Sequence, residues 1–81
     1  MALQATEISG DYAAVTPHDT TNITGGPCRA LYVGVGGNVV AVTTADVAIT
    51  FTNVQGGAIL PIYVKRVNST STTATNIVAL F

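Results

Sequence analysis

The sequence predicts an all-β fold: a small single-domain β-sandwich or barrel of about six short antiparallel strands with an extended N-terminal arm. Three observations predict it. The apolar runs are short and rich in Val, Ile, Phe and Tyr, the residues that pack well on a pleated surface. The run Val47–Asn53 alternates with a period of two, which is strand patterning. Clusters of Gly, Pro, Asn, Asp and Thr interrupt the runs at roughly 8–12-residue spacing, and no internal repeat stands out.

In chain order, residues 1–26 read as an N-terminal arm with turns and residues 27–81 as a β module, together one domain. Leu3–Ile8 is a mixed run, Ser9-Gly10-Asp11 a turn, and Tyr12–Val15 a short apolar piece. The alanines there leave only a short helix possible between Gly10 and Pro17, so the arm is expected to be extended, with one or two short strands. Thr16–Asn22 is turn chemistry throughout, since Pro presets φ and Asp, Asn and Thr bond nearby backbone. Ile23-Thr24 opens a strand that Gly25-Gly26-Pro27 breaks.

Leu31–Val35 and Val39–Val42 flank Gly36-Gly37-Asn38 and predict a central β-hairpin, because Gly and Asn accept the positive φ of tight turns. Thr43–Asp46 is a second turn. In the strand that follows, Val47, Ile49 and Phe51 are expected to face the core, opposite Ala48, Thr50 and Thr52. Val54–Ala58 is a loop. Ile59–Val67 predicts a strand with Leu60, Ile62 and Val64 inward, although Pro61 confines it to a start, an edge or a bulge. Asn68–Thr73 is a polar loop, and Asn76–Phe81 is a last strand whose Phe81 should be tucked into a core or an interface.

At 81 residues the core is thin, with only about 60–65% of the unfolded surface buried. Small domains usually add disulfides, a metal or partner subunits. Cys28 is the only cysteine and His18 the only histidine, so no cofactor or metal is expected and assembly remains. Charged residues are 9% of the chain and apolar ones 48%, against about 25% charged in ordinary domains. Much of the surface must therefore be Thr, Ser, Asn and Gly, or be covered. A net charge of -1 gives no footprint for nucleic acid. Lys65-Arg66 is the only basic pair, and on a strand its side chains point to opposite faces.

No basic start with an apolar run marks a signal peptide, and no apolar stretch approaches the roughly 20 residues that span a bilayer. A soluble cytoplasmic product without a membrane partner is the expectation. Asn22-Ile23-Thr24 and Asn68-Ser69-Thr70 match a glycosylation pattern but read as chance in a Thr-rich chain.

Candidate chemistry is sparse. His18-Asp19 has the residue types of acid/base catalysis, but triad members converge from separate elements, and a turn is the better reading. Gly34–Gly37 lacks the Lys-Ser/Thr and the helix of a phosphate loop. Cys28 reads as a small buried hydrophobe rather than a reactive thiol. Glu7, Asp11, Asp19 and Asp46 are too scattered for a Ca²⁺ site. Tyr12, Tyr32 and Tyr63 leave one alternative, a carbohydrate-binding module contacting host-cell surface glycan. No catalytic, cofactor-binding or metal residue is assigned, and the chain is not expected to be an enzyme.

Pro27–Gly34, Gly36–Val39, Ile59–Ile62, Val64–Asn68 and Thr72–Leu80 resemble the head spike-base proteins of alphaproteobacterial gene transfer agents and related tailed phages. The resemblance spans most of the chain from Pro27 onward and, more loosely, the arm. Where this chain has Ser71, the family often carries Gly. The resemblance implies a virion protein on the outer capsid surface, made in the bacterial host cytoplasm, as a spike base or a head decoration or cement protein. Its implied partners are the major capsid protein and a spike fibre protein. The low charge and short core predict further that the chain forms a homo-oligomer, a trimer or a pentamer matching three-fold or five-fold capsid positions.

Overall fold

A computed structural model describes residues 11–81. The expected run Leu3–Ile8 and most of the turn at Ser9–Asp11 lie outside the described residues. Among the described residues seven strands form in order: β1 (Tyr12–Ala14), β2 (Ala30–Val35), β3 (Gly37–Val42), β4 (Ala48–Val54), β5 (Ala58–Leu60), β6 (Arg66–Val67) and β7 (Thr75–Leu80). They make two antiparallel sheets, one ordered β1-β7-β2-β5 and the other β4-β3-β6. The all-β sandwich expectation holds, and among the described residues there is no helix.

The core lies between the sheets. Leu31, Val33, Ile77 and Ala79 enter from the first sheet, Val39, Ala41 and Val67 from the second, with Cys28, Val64 and Ala74 from connecting segments. Full burial of one such large aliphatic side chain contributes about 1.5–3 kcal/mol. Leu60, Ile62 and Phe51 pack half-buried against this core, as does Phe81.

The expected central hairpin does not form. β2 pairs with β5 and β7, while β3 pairs with β4 and β6, so the chain changes sheets at Gly36. One residue between the strands is too short for a two-residue hairpin loop. The glycines serve close backbone approach instead. A Cβ on Gly36 would lie 2.6 Å from the Val54 carbonyl oxygen, and one on Gly37 would lie 2.7 Å from Thr73 Oγ1. The local hairpin is β3–β4, closed by the Thr43 turn. There the Asp46 N–H donates to the Thr43 carbonyl at 3.0 Å and the Thr43 N–H to the Val47 carbonyl at 2.8 Å. Asp46 takes the left-handed residue that a three-residue hairpin loop requires, φ 68°, and its carboxylate pairs with Lys65.

The expected strand Ile59–Val67 divides at Pro61. The Ile62 N–H bends back to the Leu60 carbonyl at 2.9 Å, an inverse γ-turn that proline's fixed φ favours. The chain then crosses to the other sheet, and Cys28 and Val64 exchange backbone bonds of 3.0 and 3.1 Å on the way. Val64 is fully buried as expected. The segment before Pro27 is stitched to both sheets: Val15 N–H bonds the Ile77 carbonyl, His18 N–H that of Val67, and Ile23 N–H that of Lys65, each at 2.8 Å.

The expected burial of one face of the run Val47–Asn53 is only partly realised in β4, and Val47 lies in the turn before it. Phe51 packs on the core, whereas Val47 and Ile49 remain about half exposed, at 50% and 48%.

Candidate functional site

The first sheet has a second apolar face. On β2 and β7 the pleat sends Leu31, Val33, Ile77 and Ala79 inward, so Tyr32, Val78 and Leu80 must point away from the core. Register then assembles a row across all four strands, Ala14–Val78–Tyr32–Ile59, and beside it a row Tyr12–Leu80–Ala30. Neither row contains a charged residue. Tyr12 is 67% exposed, Ile59 57% and Tyr32 39%. Apolar surface of this kind, with no layer over it among the described residues, is the candidate contact site.

This surface escaped the reading of single strands because its members come from four separated segments. A signal was nevertheless present. Ala30–Val33 and Ile77–Leu80 are continuously apolar rather than alternating, and that pattern belongs to strands covered on both faces.

The sequence candidates fall elsewhere. His18 Nδ1 accepts bonds from the Thr20 and Thr21 N–H groups, both at 3.1 Å. The Asp19 carboxylate accepts from the Thr70 N–H at 2.9 Å and the Thr70 hydroxyl at 2.5 Å. These bonds hold the Asp19 carboxyl below its ordinary value, the hydroxyl contributing most. Each side chain thus caps a loop, and the two are not paired with each other. Cys28 is fully buried, its thiol aimed at the Val64 carbonyl at 3.5 Å, and burial pushes the thiol pKa up. Among the described residues, no three His, Cys, Asp or Glu side chains come together; Glu7 lies outside them.

The tyrosines divide. Tyr12 and Tyr32 share the outer face of the four-stranded sheet, but Tyr63 lies by the other sheet, beside Ile49 and Phe51. Asn38, expected as a turn residue of the central hairpin, instead joins two segments to β3. Its side-chain oxygen receives the Asn53 N–H at 2.9 Å, its N–H reaches Thr73 Oγ1 at 2.8 Å, and its carbonyl accepts from Thr73 and Ala74. It fastens the Asn68–Thr73 loop to the second sheet.

No protein-family profile and no curated protein matches the chain. A solved structure does: a chain in the capsid of a native gene transfer agent particle, computed with C5 symmetry, is similar at 34% identity and a TM-score of 0.86. The likeness covers 99% of this chain and 92% of that one. The protein therefore belongs to the same family as this chain of the gene transfer agent capsid.

Proposed function

We propose that the chain is a structural protein of the outer capsid surface of a gene transfer agent or related tailed phage, a head decoration or cement protein or the base of a spike. It acts by contact and not by catalysis. Its partners are the major capsid protein, further copies of itself in a trimer or pentamer, and, at a spike, the fibre protein.

The observation that carries this reading is the uncharged outer face of the four-stranded sheet, in a chain that shares its fold and a third of its residues with a capsid chain. Covering Tyr12, Tyr32 and Ile59 removes apolar area from water at about 25 cal/mol per Å². In a ring the contact is head-to-tail, so this face meets a different surface of the neighbouring subunit or the capsid lattice beneath. The glycan alternative gains no support from the geometry, because Tyr63 is apart from Tyr12 and Tyr32.

Mass spectrometry of purified particles tests the proposal. The chain is expected on heads, in copy numbers set by three-fold or five-fold positions. Particles that lack it would refute a capsid role.

A further inference from the structure

The outer face of the four-stranded sheet and the segment 1–10 that precedes β1 suit each other in chemistry. The segment holds the apolar residues Met1, Ala2, Leu3, Ala5 and Ile8, and its one charge is Glu7. The face carries no charge in the rows Ala14–Val78–Tyr32–Ile59 and Tyr12–Leu80–Ala30, and it leaves Tyr12, Tyr32 and Ile59 open. A charge laid on such a face loses hydration and gains no ion pair. This segment has apolar side chains to place there and little charge to desolvate.

The point where the segment joins the fold sets what it can reach. The Phe81 N–H donates to the Asp11 carbonyl at 2.8 Å, one step beyond the pair Tyr12↔Leu80. Asp11 is therefore still on the β1–β7 ladder, and the chain enters it along the strand direction, from past the end of the sheet. Ten residues can extend about 33 Å. A row across four paired strands is only about 14 Å wide, so the segment is long enough to cross one.

To cover its own face, the segment would have to reverse at Ser9-Gly10 and pass back over Tyr12 and Leu80. The face of an adjacent copy needs no such reversal. Closure on its own subunit would also remove this face from assembly, in a chain whose low charge and thin core call for partners. The likeness to the gene transfer agent capsid chain covers 99% of this chain, and so takes in the segment as well as the sheet.

We infer that residues 1–10 of one copy lie across the outer face of the four-stranded sheet of the next, so that each subunit gives one segment and receives one. The inference rests on the reading of that face as a subunit contact and names its occupant. Segment and face are different surfaces, so the contact is head-to-tail and closes into a ring when the rotation allows. Leu3 and Ile8 are the largest aliphatic side chains the segment can bury there.

The test is paramagnetic broadening by NMR on the full chain. Isotope-labelled protein is refolded with an equal amount of unlabelled Thr6→Cys protein carrying a nitroxide, which the buried Cys28 does not take up. Broadening then reports only contacts between copies. The amide signals of Ala14, Tyr32, Ile59 and Val78 should be lost, and should return when the nitroxide is reduced. Leu3→Asp/Ile8→Asp in the nitroxide-bearing chain should also restore them. Three results would each overturn the inference: no loss in the mixed sample, loss only when nitroxide and isotope share one chain, or loss that Leu3→Asp/Ile8→Asp leaves unchanged. The second identifies the segment's own subunit as the one it covers. No particle enters this experiment, so its failure leaves the capsid role standing, and heads that lack the chain would leave its result readable.

Discussion

The Asn53 N–H donates to the side-chain oxygen of Asn38 at 2.9 Å, at the point where the β3–β4 register slips between Gly37 and Val39. The slip places Asn53 in the left-handed region, φ 60°, where its N–H is turned off the regular ladder. Asn38 supplies the acceptor that the ladder does not. Asn38→Ala should destabilise the fold by about 1–2 kcal/mol, and Asn38→Asp, which keeps an acceptor, by less. Urea denaturation midpoints of the two variants check the order.

Ser71 has φ 70°, a conformation that costs a residue with a Cβ but not glycine. Ser71→Gly should therefore raise stability by about 0.5–1 kcal/mol, seen as a higher melting temperature.

Acid should weaken the fold through two exposed carboxylates. Thr70 lowers the Asp19 pKa, chiefly through its hydroxyl, and Lys65 lowers that of Asp46 by hydrogen bond and charge, each from an ordinary value of 3.8. A carboxyl with a depressed folded pKa contributes stability that is fully present above its unfolded value and is lost as pH falls through its folded value. Stability should hold from neutral to about pH 5 and decline below about pH 4. In Asp19→Asn/Asp46→Asn that acid decline should be shallower, measured by thermal melts across pH.

Cys28 should be protected. Full burial and the raised thiol pKa leave almost no accessible thiolate. A disulfide reagent such as dithionitrobenzoate should label the native protein only as fast as it opens, and at once in denaturant. Rapid native labelling would contradict the buried position.

The strands were legible where local pattern and global need agree. Val47–Asn53 alternates and, from Ala48 on, lies in β4, Pro61 interrupts its run as proline must, and Val64 is core. The hairpin was misread because Gly36-Gly37-Asn38 carries the residues of a tight turn while serving another constraint, the approach of Val54, Gly56 and Thr73 to within 3 Å of where a Cβ would be. Those neighbours are up to 36 positions away, and nothing local records them. The outer face was hidden for the same reason. Ala14, Tyr32, Ile59 and Val78 form a row only once β1, β7, β2 and β5 are in register. Asn38, by contrast, needed partners from both the Asn53 and Thr73 segments to acquire its role.

Cryo-EM of purified particles tests the central claim most directly. The predicted result is density for this chain on the head surface, with the row Ala14–Val78–Tyr32–Ile59 buried against a neighbouring subunit or the capsid lattice. Heads without the chain, or heads on which it is bound with that row turned to solvent, would contradict it.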